Sequence, residues 1–259
     1  MKNHTLGVFL FGLATAASLT LLYGVDLGRS LIEVSGSVAK EYQVPVRRVQ
    51  RQEKQAALTF DVGQSSENLQ NILDILENRQ VKTTFFVSGA WAEAHPEEIK
   101  EIAGDGHELG ICGREYRDMS RLSGEEARQE LAETRTEVEN LAGSRVALFR
   151  PPGGQAGHRL VGSAEDCGLV TVSWDVDSMD WKDYGAEAII ERVAGSGELQ
   201  EGSIILCRTE ARYTAEALDG LITAIEQQGY ELVTASELLY QEDWYIDQEG
   251  TQISRQEFF

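Results

Sequence analysis

The sequence predicts an α/β fold built on a parallel sheet. Short apolar runs alternate with amphipathic runs about seven times, the pattern of strand followed by helix. The length of 259 residues accommodates one domain of roughly 200 residues with appendages, a size that α/β barrels reach as single units. No internal repeat divides the chain.

The order of elements follows from local pattern. Leu6 to Val25 carries no charge over 20 residues, enough to cross a hydrocarbon core of roughly 30 Å. It reads as a signal anchor, residues 1–25, with Lys2 favouring a cytoplasmic N-terminus and an extracellular domain at the cytoplasmic membrane. Cleavage near Ala14, Ala16 or Ala17 would instead give a secreted form. Residues 26–52, with Arg47, Arg48 and Arg51 and little helical period, read as a juxtamembrane stalk whose basic cluster is solvated.

Within the domain, residues 53–240, the run Ala57 to Phe60 predicts a strand, and Leu69, Ile72, Leu73 and Leu76 fall on one helical face. Thr83 to Val87 is a strand, Pro96 to Ala103 a helix with proline in its first turn, and Glu108 to Cys112 a strand. Ser123 and Glu126 form a capping box that opens a polar helix reaching Leu141. Further strands are expected at Val146–Phe149, Leu169–Trp174, Ile204–Cys207 and Glu231–Val233, separated by helices near Arg159–Asp166, Glu187–Val193 and Ala215–Gln227. Residues 241–259 read as an acidic, aromatic, irregular tail packed on the domain. Periodicity leaves an open sheet and a closed barrel equally available.

The net charge of −20 repels polyanions, which excludes nucleic acid as a partner and leaves neutral or weakly charged glycans. Cys112, Cys167 and Cys207 lack metal-type spacing, and their odd number in an exported chain leaves a free thiol or an intermolecular link.

Four segments carry the chemistry: Ala56 to Gly63, Gly106 to Gly110, Phe149 to Gly153, and Trp174 to Trp181. In this order and spacing, from about Val44 to Leu239, they resemble the polysaccharide deacetylases, the NodB-homology or carbohydrate esterase 4 family, and within it the membrane-anchored branch of spore-forming bacteria. The resemblance implies a distorted (β/α) barrel of about seven parallel strands, with functional residues at the strand C-terminal ends. It also implies a divalent, zinc-like metal that polarises the amide carbonyl and lowers the pKa of water from 15.7 toward about 7.

Carried over by position, the catalytic base is Asp61, while the metal-ligand positions hold Val62, Cys112 and Tyr116. The histidine that would protonate the leaving amine is replaced by Arg208, a cation that keeps its proton. Arg150, Asp177 and Asp180 match residues that orient the base and tune that histidine; Pro151, Pro152, Gly154 and Trp181 match the substrate groove. Glycine at 154 predicts a groove wall that has lost a side chain, and Trp181 is expected to pack at its strand end. His4, His95, His107 and His158 occupy none of the vacated positions. Two functions follow. One is a non-catalytic, cofactor-free envelope protein, associated with sporulation, that binds an N-acetylated cell-wall glycan or an envelope protein. The other is a working deacetylase of peptidoglycan or a related polymer through an altered metal centre, with Cys112, Tyr116 and Asp61 as ligands.

Overall fold

The computed structural model describes residues 43–258. The expected anchor, residues 6–25, and most of the stalk lie outside them. No helix among the described residues is long and apolar enough to cross a membrane.

The chain enters through β1 (Arg48–Val49) and rises through β2 (Gln55–Asp61), α1 (Leu69–Arg79) and β3 (Thr84–Val87). It continues as α2 (Gly89–Ala94), α3 (Pro96–Gly104), β4 (Glu108–Ile111) and α4 (Gly124–Ala142). α4 opens on the expected capping box: the Ser123 hydroxyl accepts from the Glu126 N–H, and the Glu126 carboxylate accepts from the Ser123 N–H. It stops at Gly143, whose φ of 66° supplies the left-handed residue that ends a helix. Next come β5 (Leu148–Phe149), α5 (His158–Asp166), β6 (Val170–Thr171), β7 (Val176–Asp177), α6 (Ala186–Ile190) and β8 (Ile204–Arg208). The chain ends with α7 (Thr214–Gln227), β9 (Glu231–Val233), α8 (Ala235–Leu238), β10 (Trp244–Ile246) and β11 (Thr251–Ser254).

The main sheet runs β6-β5-β4-β3-β2-β8-β7, with β9 beside the first half of β2, and every pairing in it is parallel. The order has two ends, β6 and β7, so the expected distorted barrel of about seven parallel strands takes the form of a curled half-barrel of eight.

Strand alternation divides the core in two. Ala56, Leu58 and Phe60 of β2 pack outward with the helices, together with Leu73 and Leu76 of α1 and Leu131 of α4. Ala57 faces the other way, joining Phe86, Leu148, Val172 and Ile204 in a smaller inner cluster. Thr59 and Asp61 share the parity of Ala57 and are therefore directed to the inner face at the C-terminal edge of the sheet.

Two segment assignments are corrected. Residues 43–52, expected in the stalk, belong to the domain: β1 pairs in parallel with β11, and Val46 and Val49 are fully buried. Nor are the three arginines a solvated run. The Arg47 Nε donates to the Trp174 carbonyl, the Arg48 Nη2 to Thr251, and the Arg51 Nε to the Leu238 carbonyl. The C-terminal segment is a hairpin, β10 antiparallel to β11, that completes a three-stranded sheet with β1.

The turn before β7 is pinned by Asp175, whose carboxylate accepts from the Ile204 N–H at 2.8 Å and the Ser203 hydroxyl at 2.9 Å. Burial, against these hydrogen bonds, pushes its pKa from 3.8 up to about 6. A carboxyl raised on folding stabilises the native state below its unfolded pKa, and that contribution is lost as pH rises from about 4 through about 6. Asp175→Asn removes the titration while keeping an acceptor. Urea unfolding should show the variant gaining on the parent by about 2 kcal/mol between pH 4 and pH 7.5. A difference that does not change with pH would contradict this account.

Candidate functional site

The C-terminal edge of the inner face gathers Asp61 from the end of β2, Arg208 from the end of β8, Asp177 from the end of β7, and Arg150 and Cys112 from just beyond β5 and β4. Asp61 and Arg208 are register partners on adjacent strands. All five are sequence-predicted site positions, and the topology brings them to one edge.

Arg150 is the pivot. It is 1% exposed, and its Nη1 donates to Asp61 Oδ1 at 3.0 Å. Its Nη2 donates to the Thr59 hydroxyl at 2.8 Å and to the Ser173 carbonyl at 3.2 Å. The Thr59 hydroxyl in turn donates to the Ile205 carbonyl at 2.6 Å. The guanidinium lies 3.9 Å from the centre of the Phe86 ring. Phe86 has that place because residue 110 is glycine, where a Cβ would come within 2.5 Å of the ring. Thr59, Ser173 and Phe86 are members of the site that sequence reading missed. Thr59 alone had a signal, sharing the parity of Asp61 within an otherwise apolar strand.

The other oxygen of Asp61 is also engaged. The Tyr116 hydroxyl donates to Asp61 Oδ2 at 3.2 Å, although the residue as a whole is 55% exposed. Burial of the hydroxyl end and the negative charge of Asp61 push the tyrosine pKa up to about 12, so it remains a donor. Cys112 is 1% exposed, and burial followed by the charge of Asp61 lifts its thiol well above the usual range. Val62 turns away: it is 4% exposed and belongs to the outer core with Phe60 and Leu69. Among the described residues, no three His, Cys, Asp or Glu side chains are grouped so as to hold a metal ion.

Arg208 makes the second charged knot. Its Nη1 donates to Asp177 Oδ1 at 3.1 Å and to Asp180 Oδ1 at 2.8 Å, and its Nη2 to Asp177 Oδ2 at 3.3 Å. Asp180 Oδ2 accepts from both the Arg208 N–H and the Thr214 hydroxyl, each at 2.7 Å. Burial pulls the Arg208 pKa down, but the hydrogen bonds and charges of Asp177 and Asp180 outweigh it and hold the guanidinium above its ordinary value.

Two groove expectations are corrected. Trp181 is 56% exposed and does not pack at the strand end; it follows Asp180, whose carboxylate bonds fix the turn. The space at Gly154 is not open, because a Cβ there would meet the Trp174 ring at 2.5 Å and the Ser173 hydroxyl at 2.7 Å. Pro151 is buried and Pro152 begins the short turn that carries Gly153 and Gly154. His107 sits at the opposite, N-terminal end of β4, where its Nδ1 accepts from the Thr83 N–H at 3.3 Å. Burial and then Lys82 lower its pKa to about 4.

The family model for polysaccharide deacetylase matches residues 48–172. The chain is 32% identical over 213 residues to the peptidoglycan-N-acetylglucosamine deacetylase PgdA of Listeria monocytogenes, covering 80% of this chain and 45% of that protein. It is 30% identical over 199 residues to the peptidoglycan-N-acetylmuramic acid deacetylase PdaA of Bacillus subtilis, covering 74% of this chain and 73% of that one. Among solved structures, BA3943 of Bacillus anthracis, described as a carbohydrate esterase 4 pseudoenzyme, superimposes with a TM-score of 0.72 at 32% identity, over 76% of this chain and 69% of its own. A mutant of BA3943 described as having restored enzymatic activity gives the same TM-score. The chain thus spans less than half the length of PgdA.

Proposed function

From the premise that this chain belongs to the polysaccharide deacetylase family, we propose that it is a non-catalytic member that binds an N-acetylated cell-wall glycan without hydrolysing it. In this reading residues 6–25 hold the domain at the outer face of the cytoplasmic membrane, and its work falls in sporulation.

The observation that carries the proposal is the state of Asp61. A general base must take a proton from water, and here both oxygens of Asp61 already accept, Oδ1 from Arg150 and Oδ2 from the Tyr116 hydroxyl, which stands where water would have to approach that oxygen. The positions that would hold a divalent cation do not fit one. Val62 points into the outer core, Cys112 is buried at 1% exposure, and Tyr116 presents a hydroxyl proton to Asp61. Arg208, fastened to two carboxylates, has no proton to give a leaving amine. Asp61 is in this view a structural anion that keeps the inner edge of the sheet assembled around Arg150.

The retained Asp61–Arg150 and Asp177–Asp180 frame favours the second reading, an active deacetylase, as PgdA and PdaA are named, but working through an altered centre. One experiment separates the two. Full-length protein in detergent, incubated with N-acetylated peptidoglycan, should release no acetate above a boiled control and should carry no stoichiometric zinc by elemental analysis. Acetate release abolished by Asp61→Asn, with one bound metal ion per chain, would establish the enzyme. The anchor is checked on the same preparation, since the protein should stay with membranes through a high-salt wash and retain its N-terminal residues.

A further inference from the structure

We infer that the bound glycan does not stop at the Asp61 site but continues as an extended strand across the loop 152–157 toward Trp244, so that the ligand is a linear, neutral polymer several sugars long. This rests on the glycan-binding reading above and adds to it a direction, a length and a charge.

Three cavities meet at that loop. One of about 650 Å³ begins at Tyr116, whose hydroxyl sits on Asp61, and runs over Pro152 and Gly153. A second, of about 440 Å³, is bounded by Gly154, Trp174 and Gln248. The third, of about 930 Å³, lies between α5 and the C-terminal hairpin, with Val161 on one side and Trp244 on the other. They are parts of one depression. Gly153 and Gln155 line the first and second, Gly157 the first and third, and Ala156 all three.

The divide between them is low because half of the loop, Gly153, Gly154 and Gly157, is glycine. Nothing lies within 4 Å of where a Cβ would stand at Gly153 or Gly157. At Gly157, with φ −76° and ψ 163°, neither backbone geometry nor packing calls for glycine. A side chain there would stand up in the depression.

The walls suit a glycan. The half-buried Trp174 and Trp244 line the second and third cavities, and indoles are surfaces on which the apolar faces of pyranose rings pack, while the exposed Gln43 and Gln155 carry amide donors and acceptors for hydroxyl and acetamido groups. The charge pattern disfavours an anionic strand, and a fully N-acetylated one is neutral. Arg47 and Arg117, the arginines lining these cavities, are bound to the Trp174 carbonyl and to Glu130, whereas Asp118 and Glu249 add negative charge to a chain of net −20.

The test uses full-length protein in detergent and N-acetylglucosamine oligomers of two, four, six and eight units, with affinities from calorimetry. Affinity should rise at least about tenfold from dimer to octamer. Gly157→Trp should bring the octamer down to the dimer's affinity while keeping the melting temperature within about 2 °C of the parent, as for a surface substitution. Gly104→Trp, at an equally open position at the end of α3, away from the depression, should change neither affinity. Equal affinity at every length, or an octamer indifferent to Gly157→Trp, overturns the extended path and leaves the glycan-binding reading standing. Absence of binding at all lengths overturns both.

Discussion

Arg150→Met destabilises the domain by about 3–5 kcal/mol, the cost of leaving one partner of a buried ion pair uncompensated. The substitution keeps an unbranched apolar stem and removes three hydrogen bonds, to Asp61, Thr59 and Ser173. Asp61, 6% exposed, then holds its charge with only Tyr116 beside it. The companion measurement is the double variant Arg150→Met with Asp61→Leu, because replacing both members by apolar groups costs less than breaking the pair. Chemical denaturation of the parent, the two single variants and the double variant should give a coupling of at least about 1 kcal/mol in favour of the double. A loss below that size for Arg150→Met would mean that the pair does not assemble the inner edge.

Val62→Asp, Cys112→His and Tyr116→His introduced together create zinc binding, and acetate release follows only when Arg208→His is added. The order of effects is set by where the side chains stand. Val62→Asp alone should lower stability by about 2–4 kcal/mol, since it places a carboxylate among Phe60 and Leu69 in the outer core unless a cation draws it inward. With all three changes, zinc at one hundred times its dissociation constant should return about 2.7 kcal/mol of stability. Removing the Tyr116 hydroxyl also frees one oxygen of Asp61. In the fourfold variant, Asp177 and Asp180, which now fasten Arg208, would face an imidazole and hold it in the protonated, donating form. A general acid is worth about 10²–10⁴ in rate, which is the gain expected over the triple variant. A triple variant that takes up no zinc by elemental analysis would mean that residue 62, directed to the outer core, does not turn to join positions 112 and 116 around one metal.

What the sequence discloses about this molecule divides along the range of the interactions. The alternation of β2 to β4 with their helices is legible because each element buries a face at its own period, and α4 is bounded by local signals, Ser123 with Glu126 at one end and Gly143 at the other. Strands β5, β6 and β7 pair over two residues each, where Val146–Phe149 and Leu169–Trp174 suggested longer ones. Beyond Phe149 and Thr171 the chain leaves the sheet to supply Arg150 and Ser173 to the site. β1 and β11 are joined across some two hundred positions, and nothing local in Arg48–Val49 announces the partner. At the site, strand parity already separates Val62 from Asp61. The meeting of Tyr116 with Asp61 depends on the course of an irregular loop, and the filling of Gly154's space by Trp174 depends on two loops at once.

The stitching of residues 46–50 determines how the domain responds to being pulled. Val46 exchanges backbone hydrogen bonds with Thr171 and Ser173, Arg47 donates to the Gly250 carbonyl, Val49 to that of Gly202, and Gln50 to that of Gln252. A load arriving through the preceding chain is therefore shared among the edge of the main sheet, the C-terminal hairpin and the turn before β8. β1 lies parallel to β11, so tension along it strains their hydrogen bonds together, in shear, where an end-to-end peel would break them one at a time. The entry point acts as a mechanical clamp, and a pull on residue 46 passes directly to Ser173, whose N–H Val46 holds, and through Arg47 to the Trp174 carbonyl.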